Sequence, residues 1–332
     1  MRLDDLDYLR SLDSRNWLAH LEAWPDQLAA AWALGQTLAW PAAAPSARQV
    51  VVVGRGDSAI AGELALAAVA EPAGRPVIVW PRPGLPAWLG PQTLVLALSH
   101  SGRTADTVAA AEAALARGAA VVGLASGGRL LDLPGVTAWR YPASEAPDGL
   151  VPLAALTLAA LAKLEAAPEP AEAVAEAGAA LRAQQASLRA DSPVRANPAK
   201  RMAGQLMDRY AALFVADELT PAGRWWQGQI NQLAKAGAQC VPLAEADHAL
   251  AGRFLPEALI DKYLTLFLRG PAAAAALDEV RLGFMTAGYN TDVIAGQGRS
   301  RLAQLLTLAH YGSYAAFYLA ACYGVDPAAR EG

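Results

Sequence analysis

The chain has 332 residues, with 27 basic and 31 acidic side chains, 54% hydrophobic and 17% charged residues. That balance is globular and excludes a disordered chain. A formal net charge of −4 leaves no electrostatic footprint for nucleic acid or an anionic membrane.

The length suggests about two domains, each large enough for its own core. Only four of the basic residues are lysine (Lys163, Lys200, Lys235, Lys262). Two cysteines, Cys240 and Cys322, give no disulfide framework and no Cys-rich metal site. The first residues are acidic where a signal peptide is basic and then apolar. The longest apolar run, residues 151–162, is ended by Lys163 and is too short to span a bilayer. A cytoplasmic protein is expected.

Residues 1–48 read as a helical arm. Asp13 or Ser14 caps a stretch that carries Trp17, Leu18, Leu21 and Trp24 near helical spacing, which suits packing on the body or on a partner. From Arg48 the pattern changes. Val50, Val51, Val52 and Val53 form a continuous β-branched run, as in a parallel strand buried on both faces. A helix over 58–69 follows, then strands at 76–80 and 93–98, a helix over 104–117, and strands at 120–124 and 136–141. Such alternation predicts β-α-β units and a parallel, doubly wound α/β sheet.

Residues 151–190 read as Ala/Leu helices, broken around Pro168 and Pro170, where the domain boundary is expected. A second alternation starts near Asn197, with strands at 211–216, 239–243, 263–268 and 291–295, a helix over 224–237 and a closing helix over 301–323. The expected organisation is therefore an arm (1–48), a first α/β domain (49–165) and a second (166–332).

Two loops stand directly after strands: Gly54-Arg-Gly-Asp-Ser58 and Ser99-His-Ser-Gly-Arg-Thr104. In an open parallel sheet, ligands bind outside the carboxyl ends of strands. The Ser99, Ser101 and Thr104 hydroxyls, with the free amides of a helix start, make a neutral anion cradle suited to a phosphate monoester. The competing reading is that these hydroxyls only cap the helix. Gly54-x-Gly56-x-x-Ala59 also fits a dinucleotide fingerprint, but the acid wanted about twenty residues on is absent at Trp80-Pro-Arg-Pro.

Taken together, these motifs resemble the sugar isomerase (SIS) fold, and in particular the bifunctional phosphoglucose/phosphomannose isomerase family. Gly54-Arg-Gly-Asp-Ser-Ala-Ile-Ala-Gly62 resembles the family's GMGGSAIGG, Ser99 to Thr104 its SYSGNT, and Ser126-Gly-Gly-Arg-Leu130 its SGGKL. Asn197-Pro-Ala-Lys200, Arg224-Trp-Trp-Gln-Gly-Gln-Ile-Asn231, Tyr318-Leu-Ala320 and Gly324-Val-Asp-Pro327 match later blocks.

The resemblance implies two tandem SIS domains and interconversion of aldose and ketose 6-phosphates through a cis-enediol. It implies a phosphorylated sugar as ligand and a homodimer with a shared site. No metal or cofactor is implied. Gly54, Gly56, Ser58, Ser99, Ser101, Gly102 and Thr104 would hold the substrate or its phosphate. His248 matches a ring-opening histidine that the neighbouring subunit donates. Three departures stand beside these matches. Gln232 takes the place of the family's base Glu, and Leu153 takes the place of an Arg. The segment after Pro327, where the family carries a Lys, offers only Arg330. Glu218, Glu245 or Asp247 would then be substitute carboxylates, and Arg55 a substitute cation. The alternative is a sugar-phosphate sensor that keeps the cradle and has lost the base.

Overall fold

The computed structural model describes residues 2–69, 74–144, 146, 148–165, 170–252, 254–271 and 274–329. Pro168 and Arg330 lie outside the described residues. Helices α1 (Leu6–Leu12), α2 (Trp17–Glu22) and α3 (Trp24–Thr37) come first. Then follow β1 (Gln49–Gly54), α4 (Asp57–Ala68), β2 (Val77–Trp80), β3 (Thr93–Leu98), α5 (Ala105–Ala116), β4 (Ala120–Ala125), α6 (Arg129–Asp132), β5 (Val136–Arg140) and α7 (Leu150–Lys163). Helices α8 (Ala171–Leu188) and α9 (Pro198–Leu206) lead to β6 (Tyr210–Val215), α10 (Thr220–Leu233), β7 (Ala238–Pro242), α11 (Ala246–Ala251) and α12 (Glu257–Ile260). The chain closes with β8 (Tyr263–Arg269), α13 (Ala274–Thr286), β9 (Asn290–Ala295) and α14 (Arg301–Tyr323).

The described residues form two compact units. One spans 24–178; the other combines the residues before 24 with those from 179 onward. In the unit of 24–178 the strand order is β2-β1-β3-β4-β5, all parallel. This is the flavodoxin-like order, with its switch point between β1 and β3. Val50, Val51 and Val52 in β1 and Leu94 to Leu98 in β3 are fully buried, as strands covered on both faces must be. Helices α3 and α7 cover one face so closely that a Cβ on Gly35 would lie 2.5 Å from the Cβ of Ala159. Trp139 Nε1 donates to the Ala39 carbonyl at 2.7 Å, which pins the exit of α3 onto β5.

The other unit carries the parallel order β7-β6-β8-β9, with the corresponding switch point between β6 and β8. Helix α14 is apolar almost all round and runs through its core. Trp225 Nε1 donates to Ser313 Oγ at 2.8 Å, and Trp226 Nε1 donates to the Leu308 carbonyl at 2.6 Å. The N-terminal helices pack on the same helix: Tyr8 Oη donates to the Ala321 carbonyl at 2.7 Å. The expected cap is present, since the Asp13 carboxylate accepts from the Trp17 and Leu18 amides at 2.6 and 3.0 Å.

One buried cation holds the N-terminal segment. Lys200 is 1% exposed; its Nζ donates to the Ala190 carbonyl at 2.8 Å and to Asp4 Oδ1 at 3.1 Å. Stripping a buried charge of its partner costs about 3–5 kcal/mol in a dry interior. The Asp4 side chain is 56% exposed, so solvent screens the pair and the expected cost of Asp4→Ala falls to about 1–2 kcal/mol. The urea midpoint checks this. An unchanged midpoint would mean that the Ala190 carbonyl and the Tyr318 ring, 5.5 Å away, suffice for the ammonium.

Candidate functional site

Register places the two motif loops side by side. Gly54 pairs with Leu98, so both loops leave their strands at the same level, at the switch point between β1 and β3. Space is tight at Gly54, where a Cβ would lie 3.1 Å from the Ala59 amide nitrogen. Gly56 faces open space in a left-handed conformation, φ 50°. Neither α4 nor α5 receives a side-chain cap at its first turn. The hydroxyls instead bond within the second loop and, at Ser58, between the two loops. Ser99 Oγ and Thr104 Oγ1 are 3.0 Å apart, and Ser58 Oγ accepts from the His100 amide at 3.3 Å. Ser101 Oγ accepts from the Arg103 amide at 3.2 Å. Simple capping is therefore not what these side chains do. At α4 the Ser58 and Ala59 amides donate back to the Arg55 and Gly56 carbonyls, so the first turn of α5 is the helix start that offers amides to an anion.

A third loop locks the second. Gly102 has φ 62°, and a Cβ there would fall on the Gly127 carbonyl oxygen; a Cβ on Gly128 would fall on the Ser101 carbonyl oxygen. The Gly102 carbonyl accepts from the Leu130 amide at 2.9 Å. The His100 carbonyl accepts from Ser126 Oγ at 2.7 Å and from the Ser126 amide at 2.9 Å. His100 Nδ1 lies 2.9 Å from Tyr141 Oη. Burial, and then the Asp148 carboxylate, push the Tyr141 phenol well above its ordinary pKa, so it stays protonated. Beside this network lies a cavity of about 670 Å³, whose lining includes Ser126, Arg140, Tyr141, Asp148 and Pro152.

The charges around the cradle are mostly committed. Arg55 pairs with Asp106 at 3.2 Å and donates to the Pro81 carbonyl at 2.7 Å. Leu153 is buried in α7, so no charge comes from that position.

In the other unit, Glu218 follows β6 and His248 follows β7, both at the carboxyl edge of the sheet. Asp217 Oδ1 accepts from the Ala244 amide at 2.9 Å and ties those two loops together. His248 is exposed. Gln232 stands at the opposite edge: its neighbour Asn231 accepts, through Oδ1, from the amide of Ala238, the first residue of β7, at 3.0 Å. The Gln232 carbonyl accepts from Lys235 Nζ at 2.5 Å. Helix α10 thus separates Glu218 from Gln232 by about 20 Å within the unit, at 1.5 Å per residue. Glu218 shares an edge with His248 and does not stand at the place of Gln232. Among the described residues, no group of three His, Cys, Asp or Glu side chains is placed to hold a metal ion. No helix among them is long and apolar enough to cross a membrane.

The His100–Tyr141 contact went unseen in the sequence. Its signals were a titratable ring inside the serine-rich loop and a tyrosine at a strand end; nothing in the spacing of 100 and 141 joins them.

Comparison with known proteins agrees with this geometry. Residues 195–331 match the family described as bacterial phospho-glucose isomerase C-terminal SIS domain, and residues 45–128 match the SIS domain. The chain is 27% identical over 317 residues to a bifunctional phosphoglucose/phosphomannose isomerase of Caldicellulosiruptor bescii, covering 91% of this chain and 92% of that protein. It is 26% identical to the protein of the same name from Thermoplasma acidophilum, covering 84% and 85%. Among solved structures, a glucose-6-phosphate isomerase like protein from Thermus thermophilus superimposes with a TM-score of 0.65 at 24% identity, over 100% of this chain and 99% of that one. The expected fold, two SIS-type α/β units with parallel sheets, is borne out.

Proposed function

We propose that this chain, which belongs to the bifunctional phosphoglucose/phosphomannose isomerase family of tandem SIS-domain proteins, binds a hexose 6-phosphate at the β1/β3 switch point and isomerises it. The observation that carries this reading is the pair of loops set side by side at the carboxyl ends of adjacent strands, joined by Ser58 Oγ and the His100 amide, with hydroxyls that cap neither helix. Hydroxyls and helix-start amides suit a phosphate monoester without a lysine. Aldose–ketose exchange then needs proton transfer between C1 and C2. The resemblance brings His248 to the sugar from a second copy, so a homodimer belongs to this reading, and a monomer by light scattering would count against it.

A second reading, a sugar-phosphate sensor, is favoured by two residues. Gln232 carries an amide, which cannot take a carbon-bound proton, and Leu153 is apolar and buried. A coupled assay separates the two. Glucose 6-phosphate and mannose 6-phosphate should each yield fructose 6-phosphate, and His248→Ala should lower kcat by about 10²-fold or more. No turnover above the His248→Ala control, together with a glucose 6-phosphate thermal shift that Ser99→Ala/Ser101→Ala abolishes, would establish the sensor.

A further inference from the structure

The chemistry that Gln232 cannot supply has a candidate source in the first sheet's own loop. His100 is flanked in the chain by Ser99 and Ser101, and its backbone is held on both sides. Its amide donates to Ser58 Oγ at 3.3 Å, and its carbonyl accepts from Ser126 Oγ at 2.7 Å. The ring is held too, with Nδ1 2.9 Å from the oxygen of Tyr141. Tyr141 is 2% exposed, so its phenol has little freedom to move. Behind it, Asp148 is equally buried, its carboxylate accepts from the Leu150 amide at 2.7 Å, and its charge acts on the phenol. The chain leaves room for this pair at Gly149, where a Cβ would lie 2.6 Å from Tyr141 Oη and 2.7 Å from His100 Nδ1. Tyr141, Asp148 and Ser126 also line the cavity of about 670 Å³, within the range of small-ligand sites. His100 itself is only half-buried.

We propose that His100 is the base that moves the substrate proton between C2 and C1, with Tyr141 and Asp148 as its positioning residues. This rests on the isomerase reading above. A base oriented by a second group, itself next to a third, is the arrangement that general-base chemistry requires. The reaction uses the tautomer in which Nδ1–H donates to the Tyr141 oxygen, leaving the lone pair on Nε2. Nε2 takes the proton from C2 of the open-chain aldose phosphate. The C2–H electron pair becomes the C1–C2 double bond, and the carbonyl π pair moves onto O1. The proton then returns from Nε2 to C1, the O2 proton passes to O1, and C2 becomes the carbonyl. Nothing is oxidised or reduced overall, and no co-reactant is consumed.

The experiment compares the full chain with His100→Asn and Tyr141→Phe in the coupled assay and in D₂O, with the glucose 6-phosphate thermal shift as the control for an intact cradle. His100→Asn should keep the thermal shift and a KM within about threefold, while kcat falls by about 10²–10⁴-fold. Solvent deuterium incorporation into fructose 6-phosphate should fall in parallel. Tyr141→Phe should keep the shift and lose about tenfold in kcat, a positioning effect smaller than loss of the base. Wild-type turnover with His100→Asn within threefold of it would overturn the role of His100 and leave the isomerase reading intact. Loss of the thermal shift along with kcat in both variants would also overturn it, because the residue would then only hold the cradle. Absence of wild-type turnover would overturn the isomerase reading and this inference with it.

Discussion

Gly102→Ala should cost the protein several kcal/mol and abolish its thermal response to glucose 6-phosphate. Two effects combine. The left-handed conformation, φ 62°, costs an L-residue about 1–2 kcal/mol. The added Cβ would also fall on the Gly127 carbonyl oxygen, a backbone atom that has no rotamer through which to retreat. Relief requires pulling apart the Ser99–Thr104 and Ser126–Arg129 loops, which breaks the Gly102 carbonyl's bond with the Leu130 amide. Gly56→Ala separates the two effects. Gly56 has φ 50° and ψ −126°, a conformation kept for glycine, but nothing within 4 Å of the added atom, so strain alone should remain, about 1–3 kcal/mol. Urea midpoints for both variants, with and without glucose 6-phosphate, check this. Equal midpoints would show that the interlocked loops contribute nothing beyond backbone conformation.

The same loops show what the residues of the sequence could and could not disclose. Strands β1, β3 and β4 are legible because a strand buried on both faces must be apolar without interruption, and Val50 to Val53 or Leu94 to Leu98 have no other use for such a run. The ends of α14 are equally clear. Ser300 caps its start by accepting from the Ala303 amide, and Gly324 ends it at φ 67°. Helix α9 carries a legible start, Asn197 followed by Pro198, with Asn197 Oδ1 accepting from the Lys200 amide at 3.0 Å. Helix α13 has a weaker signal: Leu277, Val280 and Phe284 are buried, but Leu282 and Met285 face solvent and blur the stripe.

The candidate site divides along the same line. Motif loops are local in sequence, so the cradle residues could be named from their order alone. Which hydroxyl meets which cannot be read that way. Ser58 reaches the amide of His100 because β1 and β3 are neighbours in register, with β2 on the outer side. The resemblance makes Arg55 a substitute cation, and only the fold shows it committed to Asp106 and the Pro81 carbonyl. The position of Gln232 is likewise a fact of helix length. Fourteen residues of α10 carry it to the amino edge of its sheet, away from Glu218.

Acid should destabilise the protein through a buried histidine of the closing helix. His310 is fully buried in α14, with Nε2 3.0 Å from the Leu21 carbonyl and its ring edge-on to Tyr314 at 4.9 Å between centroids. A carbonyl only accepts, so Nε2 carries the proton and the ring is neutral. Burial pushes its pKa down from 6.5 to about 4; the Leu21 hydrogen bond pulls against that shift, and His20 adds to it. Because the folded pKa lies below the unfolded one, only the unfolded chain takes up this proton as pH falls from 6.5 to about 4. Stability from this residue is therefore complete above pH 6.5 and is lost progressively down to about pH 4, by about 3 kcal/mol. His310→Gln keeps an amide N–H for the Leu21 carbonyl and cannot titrate. The variant should be less stable than wild type at pH 7, through poorer packing against Tyr314, and the gap should close as the pH approaches 4.5. Urea unfolding of both proteins at pH 7, 6, 5 and 4.5 reads the difference directly, and carboxylate titrations common to both cancel in it. Parallel losses in the two proteins would show that the buried histidine is not the acid-sensitive group. Convergence would make the seam between α2 and α14 a place where acid unfolding begins, since the Leu21 carbonyl that His310 holds belongs to the N-terminal helices.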